Sequence, residues 1–132
     1  MAQGIHPAVL SDFGLEVALE SVATRASLPV QTTVAVDGRL PPAVEVAAYY
    51  LVCEALTNVA KYASASCASV EVTRDNGQLV VQVADDGIGG ADPASGSGLR
   101  GLADRVEALE GKLRVWSPSA KGTTVGAEMP CA

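Results

Sequence analysis

The sequence has few of the side chains from which metal sites and nucleophilic active sites are commonly built. It contains one histidine and three cysteines, Cys53, Cys67 and Cys131, and none of the cysteines stands in a Cys-x-x-Cys pair. A zinc site, a disulfide framework and a serine–histidine–aspartate triad are therefore poorly supported. An odd number of unpaired cysteines favours a reducing compartment.

Basic residues and long apolar runs are scarce as well. Nine lysines and arginines stand against 15 acidic residues, and the net charge of −6 disfavours a nucleic-acid binder. A phosphate site would have to draw its positive charge from a few local cations, a helix end and a metal ion. No apolar run approaches the ~20 residues of a membrane span, and no signal peptide is visible, so we expect no membrane contact by this domain.

Small apolar residues in periodic segments are what the sequence has in abundance. Hydrophobic residues make up 48% of the chain and aromatic residues only 4%, which predicts a core of small side chains. In chain order, the periodicity predicts a helix up to about residue 26, a strand at 30–36, a helix at about 43–63, strands at 70–73 and 79–84, a helix at 99–109, and strands at 112–116 and 123–129. This order predicts an α/β two-layer sandwich, with one mixed sheet of about five strands and three helices on one face.

Three polar residues share one face of the longest predicted helix. Glu54, Asn58 and Lys61 are spaced i, i+4 and i+7, so their side chains point the same way. Such a stripe is often an ordinary solvated helix face. The glycine-rich segments further along the chain favour a functional role instead.

Two glycine-rich segments follow the predicted strand at 79–84 and predict a nucleotide site. The first, Asp85–Gly89 (DDGIG), ends a strand with a carboxylate that can accept a hydrogen bond from an exocyclic amine, and its glycines let a flat ligand lie against the backbone. The second, Gly96–Leu102 (GSGLRGL), opens a helix whose free N–H groups suit phosphate. A plain hairpin turn is the alternative for the first segment. The second also matches the dinucleotide pattern GxGxxG, but it follows a loop and not a strand, so that match is accidental.

These segments resemble the ATP-binding catalytic domain of sensor histidine kinases, within the superfamily that includes gyrase, Hsp90 and MutL. Glu54–Ala63 looks like the N box of that family, Asp85–Gly89 like its first glycine box, Gly96–Leu102 like its second, and Lys121–Val125 like its terminal Gly-Thr element. The opening segment 6–15 looks like the junction that follows the dimerisation helices in that family. The short lid between the glycine boxes and the segment 101–105 resemble the NarL/DesK-type branch. The resemblance covers nearly the whole chain and implies the Bergerat ATP-binding fold.

The resemblance also implies roles for individual residues. Glu54 would activate the attacking histidine or a water, Asn58 would ligate Mg²⁺ that bridges the phosphates, and Lys61 would neutralise phosphate charge. Asp85 would accept from the adenine amino group, helped by a water held by Thr123.

The glycines of the two boxes would shape the rest of the ATP site. Gly87 and Gly89 would make room for the base. The phosphates would be held by the second box, that is, by Gly96, Ser97, Gly98, Leu99, Arg100 and Gly101. One departure is Tyr62, which stands where the NarL-type branch often has histidine, and Tyr occurs there in other histidine kinases.

The resemblance implies a role within a larger signalling system. We expect residues 1–10 to be a junction from a dimerisation and phosphoacceptor domain that the chain lacks, and residues 11–132 to be the catalytic domain. It would use ATP and Mg²⁺ to phosphorylate a histidine on that separate domain, for relay to a response regulator of the LuxR/NarL type. We expect the isolated domain to be monomeric and cytoplasmic, either alone or as the cytoplasmic part of a membrane-bound sensor. Two alternatives remain: an anti-sigma-factor serine kinase of the same superfamily, and a non-catalytic module that binds a nucleotide or a partner.

Overall fold

The computed structural model describes residues 14–26, 28–36, 40–59, 66–75, 77–87, 97–116 and 122–131, with the backbone alone at 97–100 and 116. The helices are α1 (Leu15–Thr24), α2 (Pro42–Asn58) and α3 (Ser97–Ala108), and the strands are β1 (Val30–Ala35), β2 (Ala68–Asp75), β3 (Gln78–Asp85), β4 (Lys112–Trp116) and β5 (Thr124–Pro130). The order of helices and strands is the one that the sequence predicts. Among the described residues, no helix combines the length and the apolar character needed to cross a membrane.

The five strands form one mixed sheet in the order β1-β2-β3-β5-β4. β1 and β2 are parallel, and α2 connects them, because a parallel pair needs a crossover connection. The other three pairs are antiparallel. β3 therefore lies in the middle of the sheet, hydrogen-bonded to β2 on one side and to β5 on the other.

Alternation along the strands places apolar side chains on the helical face of the sheet. The buried members from the three inner strands are Ala68, Val70, Val72, Leu79, Val81, Val83, Val125, Ala127 and Met129. The intervening residues of β2, such as Glu71 and Thr73, are exposed on the other face. The predicted two-layer sandwich, with its mixed five-stranded sheet and three helices, is thereby confirmed.

α2 is the central helix of the helical layer. It contacts both other helices and the inner strands β3 and β5, and most of its length is buried through small or branched apolar residues. These are Val44, Ala47, Ala48, Leu51, Val52, Ala55 and Leu56. The many alanines let neighbouring elements approach closely, as expected for a core that has few aromatic residues.

Strands β2 and β3 are longer than their apolar alternation predicts. The sequence predicts strands at 70–73 and 79–84, whereas the ladder continues to the pair Asp75–Gln78 at one end and Ala68–Asp85 at the other. Gly77, with φ of 74°, makes the turn between them. Backbone pairing across a tight turn carries these polar residues into the sheet, and periodicity alone does not detect them.

A buried acid stands in the first turn of α2. Glu45 is only 2% exposed, and its carboxylate accepts a hydrogen bond of 3.3 Å from the Leu40 backbone N–H. A carboxylate near the start of a helix also meets the positive end of the helix dipole. Glu45 thus helps to fix the entry of the chain into α2.

Candidate functional site

The last residue of β3 is an aspartate whose orientation is fixed by the backbone around it. The Asp85 N–H donates to the Thr123 carbonyl at 2.9 Å, and the Gly87 N–H donates to Asp85 Oδ1 at 2.8 Å. The second bond is an aspartate turn, which holds the side chain in one direction. Because a carboxylate offers about four acceptor positions, the half-buried Asp85 can still accept a bond from a ligand.

Gly122 presses against the backbone of Asp85 from the β5 side. Its φ is +78°, and a Cβ at this position would overlap the Asp85 carbonyl oxygen and lie 3.1 Å from the carbonyl carbon. Both the conformation and the close approach require glycine. Gly122 and Thr123 belong to the terminal Gly-Thr element of the sequence. Their contacts give glycine at position 122 a structural reason, because the pair holds the turn at the end of β3.

The next aspartate along the chain binds in the opposite direction, toward the start of β2. The Asp86 carboxylate accepts from the Ser66 N–H at 2.8 Å and from the Cys67 N–H at 3.1 Å, and it also accepts from the Ser66 hydroxyl. In return the Asp86 N–H donates to the Cys67 carbonyl at 3.4 Å. The Ser66 hydroxyl, followed by the two backbone donors, holds the pKa of Asp86 well below its ordinary value.

Glu54 and Asn58 stand one helical turn apart on α2. Both are half-buried, whereas Thr57 beside them is exposed. Partial burial separates the pair from an ordinary solvated stripe, in which polar residues are fully exposed. This position suits side chains that reach a ligand at the boundary of the core.

α3 begins within the second glycine box. Residues 97–100 form its first turn, where backbone N–H groups lack partners within the helix. Gly101 follows in the helix and is exposed, and a Cβ built there would meet nothing within 4 Å. Packing within the described residues therefore gives no reason for glycine at this position, although glycine in a helix costs about 1 kcal/mol relative to alanine.

A family model described as the histidine kinase-, DNA gyrase B- and HSP90-like ATPase matches residues 43–132. This range includes α2 except Pro42, all of α3, every strand but β1, and both glycine-rich segments. The chain belongs to this ATPase family.

Characterised relatives of this ATPase domain are sensor histidine kinases. The sensor histidine kinase MctS of Rhizobium johnstonii is 33% identical, over 98% of this chain and 30% of the relative. The sensor histidine kinase NarS of Mycobacterium tuberculosis is also 33% identical, over 96% of this chain and 32% of the relative. The oxygen sensor histidine kinase NreB of Staphylococcus carnosus is 29% identical, over 96% and 39%. The chain spans about a third of the length of these relatives.

Solved structures agree with this relationship. The histidine kinase domain of the blue-light activated kinase EL346 from Erythrobacter litoralis has a TM-score of 0.67 and 26% identity, over 88% of this chain and 58% of that one. The sensor histidine kinase family expected from the motifs is thereby confirmed. NreB and NarS are of the NarL type, which agrees with the branch that the motifs indicate.

The structure of this ATPase domain brings some of the predicted site residues together. Asp85, Gly87 and Thr123 form one hydrogen-bonded turn at the end of the central strand. Ser97, Gly98, Leu99 and Arg100 lie in the first turn of α3, and Gly101 lies just after it. Lys61, Gly89 and Gly96 lie outside the described residues. The individual roles of the site residues stay predictions, as do the bounds 1–10 and 11–132.

One structural contact was not predicted from the sequence. The sequence identifies Asp86 only as part of the first glycine box and predicts no role for Ser66 or Cys67. The available signal was a second acid next to Asp85, opposite a serine that precedes the partner strand. The register Ala68–Asp85, which places those donors beside Asp86, is visible only in the folded sheet.

Metal ligation by the protein alone is not supported in the described part of this ATPase domain. Those residues contain no group of three histidine, cysteine, aspartate or glutamate side chains that could hold a metal ion. Mg²⁺ commonly keeps waters and binds one or two protein oxygens together with substrate phosphates. The amide oxygen of Asn58 fits that donor set.

Arg105 packs on α2. Its guanidinium lies 5.1 Å from the centre of the Tyr50 ring, and the Tyr50 ring meets Tyr49 edge-on at 5.7 Å. A cation over an aromatic face is attracted by the ring quadrupole. Arg105 therefore links α3 to α2 in this structure.

Proposed function

We propose that this domain binds Mg·ATP and donates the γ-phosphoryl group to a histidine on a separate dimerisation domain of a two-component sensor kinase. The observation that carries the proposal is the fixed turn at the end of β3, where Gly87, Thr123 and Gly122 together orient Asp85. Membership of the ATPase family gives this turn its ligand, because the family resemblance assigns Asp85 to the adenine amino group.

The adenine end of the site is formed by hydrogen bonding and by shape. Asp85 accepts from the exocyclic amine of adenine, a group that guanine lacks at the corresponding position. Gly87 carries no side chain that would obstruct the base. Because one Asp85 oxygen is already engaged by the Gly87 N–H, the carboxylate is oriented before the nucleotide arrives, and less ordering accompanies binding.

The phosphate end of the site is formed by α3 and α2. The free N–H groups of the first turn of α3 attract phosphate oxygens, and Gly101 leaves space at the helix surface. Asn58 supplies an oxygen to the Mg²⁺ that the phosphates carry, and this charge compensation suits a chain with a net charge of −6.

The proposed reaction is a phosphoryl transfer in line. A lone pair on an imidazole nitrogen of the acceptor histidine forms a bond to the γ-phosphorus, while the bond from that phosphorus to the β–γ bridging oxygen breaks and ADP leaves. Glu54 accepts the proton that the imidazole loses. Positioning and charge neutralisation supply most of the rate enhancement in such a transfer.

The proposed partners follow from the relatives and not from the described surface. The acceptor histidine belongs to a dimerisation domain, and the phosphoryl group passes on to the aspartate of a response regulator. We propose that the domain acts in the cytoplasm and is monomeric when isolated.

The first test is calorimetric titration of the 132-residue chain with ATP, with and without Mg²⁺, and with GTP as the control ligand. We expect saturable binding that prefers ATP and strengthens with Mg²⁺. D85N should weaken ATP binding by roughly tenfold or more, because a hydrogen bond to a charged group contributes about 1.5–3 kcal/mol. D75N, at the far end of the β2–β3 pair, makes the same charge change and should leave binding unaltered. Equal affinity in D85N and the unaltered chain would refute the adenine assignment.

The second test separates kinase types by the chemistry of the product. The domain is mixed with γ-labelled ATP and the dimerisation domain of a relative such as NarS. We expect an acid-labile phosphohistidine, and E54Q should lose the transfer while it keeps ATP binding. An acid-stable phosphoserine on an added antagonist would indicate the serine-kinase alternative, and a partner recovered without any nucleotide binding would indicate a non-catalytic module.

A further inference from the structure

Asp86 joins two segments just beyond the end of the β2–β3 ladder, where its N–H also donates to the Cys67 carbonyl at 3.4 Å. The β2–β3 pairing ends at Ala68 and Asp85, and just beyond this end the Asp86 carboxylate accepts the N–H groups of Ser66 and Cys67. The Cys67 thiol also lies 3.6 Å from Asp86 Oδ2. One exposed carboxylate thus accepts hydrogen bonds from the two residues that precede β2, Ser66 and Cys67.

The donors to Asp86 lie in the segment between α2 and β2. Ser66 and Cys67 follow α2, which carries Glu54 and Asn58, and they lead directly into β2. Asp86 itself follows Asp85 without a spacer. The bond therefore connects the chain leaving the phosphate-side helix to the turn that carries the adenine-side acid.

Asp85 has contacts of its own that do not depend on Asp86. Gly122 and Thr123 hold it from the β5 side, and Gly87 holds its carboxylate. Loss of the Asp86 side chain therefore leaves the adenine acceptor oriented. What it removes is the set of side-chain bonds to Ser66 and Cys67, so that the start of β2 is tied to the acceptor only by the Ala68–Asp85 pair and by the longer backbone bond from Asp86 to Cys67.

We propose that Asp86 is a positioning residue for the nucleotide site, which fixes the distance between the adenine acceptor on β3 and the phosphate-side residues on α2 by binding Ser66 and Cys67. This inference rests on the proposed function. It assigns Asp86 no contact with the nucleotide. Loss of Asp86 should weaken the binding of ligands that span both ends of the site, and should leave the affinity for a ligand at the adenine end alone nearly unchanged.

The experiment compares the affinities of the 132-residue chain for Mg·ATP and for adenosine, by calorimetry and by NMR titration. D86A is expected to weaken Mg·ATP binding about tenfold while it changes adenosine binding less than threefold, factors that differ by well over the error of such titrations. D86N keeps an acceptor oxygen for the two N–H groups and is expected to recover most of the ATP affinity. D75N, which removes a charge from the other end of the same strand pair, is the control and should alter neither ligand.

The outcomes separate this proposal from the proposed function and from mere loss of structure. If the unaltered chain binds neither ligand, the proposed function fails first. If D86A weakens both ligands by the same factor, or weakens neither, the positioning role is wrong. A partly unfolded variant would bind fewer ligands per chain, while the ratio of its affinities for Mg·ATP and adenosine would stay that of the unaltered chain. If D86A does not fold at all, S66A decides the question by the same ratio, because it removes only the hydroxyl donor to Asp86.

Discussion

At the scale of single residues, two adjacent aspartates in one turn have different partners and different consequences. Asp85 binds the backbone on the β5 side and keeps acceptor positions for a ligand, whereas Asp86 binds Ser66 and Cys67 on the β2 side. The sequence places Asp85 directly after the predicted strand 79–84, within one residue of its observed position as the last residue of β3, because alternation and the glycine at 87 mark that end. It does not predict the contacts of Asp86, because the donors lie 19 and 20 residues away and meet it only through strand pairing.

The lowered pKa of Asp86 predicts a specific dependence of stability on pH. The folded pKa lies below the ordinary value of about 3.9, so the contribution is present at pH above that value and is lost as pH falls toward the folded pKa. D86N should therefore have a lower melting temperature than the unaltered chain at pH 7, and the difference should shrink below pH 4. Thermal unfolding followed by circular dichroism from pH 2 to pH 7 measures this, with D75N as the control. A difference that stays constant with pH would show that charge on Asp86 is unimportant.

Two glycines near the start of β5, Gly122 and Gly126, should respond very differently to substitution by alanine. Gly122→Ala places a Cβ on the Asp85 carbonyl at a positive φ, so it should lower the free energy of unfolding by at least the roughly 1–3 kcal/mol of such strain. Gly126→Ala meets Gln82 and Val81 atoms only at 3.6 Å, an ordinary contact, and should be tolerated. Urea unfolding of both variants measures the effect. Equal losses would mean that the approach of Gly122 to Asp85 is unimportant.

At the scale of elements, the sequence predicts whether a segment is a helix or a strand better than it predicts where that segment begins and ends. Helices and strands are recognised because their apolar residues repeat with periods of 3.6 and 2. In α2 the predicted polar stripe with Glu54 and Asn58 is half-buried, and the helix also buries Val44, Ala48 and Leu51, because neighbours surround the helix on several sides. Burial around a central helix depends on the other elements, and the periodicity of one segment does not contain that information.

Gly101 of α3 should show opposite effects on stability and on binding. Gly101→Ala adds a methyl group into open space and removes the helix penalty of glycine, so the free energy of unfolding should rise by about 0.5–1 kcal/mol. Mg·ATP affinity should fall, because the proposed function places the phosphates there. Gly111→Ala is the contrasting variant, since its Cβ would lie 2.9 Å from Met129 Cγ and from Val106 Cγ1, and it should lose stability. A stabilised Gly101→Ala with full ATP affinity would remove this glycine from the site.

At the scale of the whole molecule, the sheet order is what assembles the candidate site. β5 comes last in the chain and inserts between β3 and β4, and this placement brings Gly122 and Thr123 against Asp85. The sequence predicts each of these residues separately by family resemblance. It does not predict the contact between them from physical patterns, since nothing local to residues 122–131 specifies β3 as their neighbour.

The central position of β3 also determines when the site can come apart. The edge strands of a sheet separate first in local unfolding, and the hydrogen bonds of inner strands break mainly when the whole domain unfolds. β1 and β4 are the edge strands here, while the Asp85 amide is hydrogen-bonded to Thr123, one step beyond the Ala84–Thr124 pair that ends the inner β3–β5 ladder. That amide should therefore exchange its hydrogen with solvent more slowly than the amides of the edge strands. The domain can then fray at both sides and still present the proposed adenine acceptor in the same place.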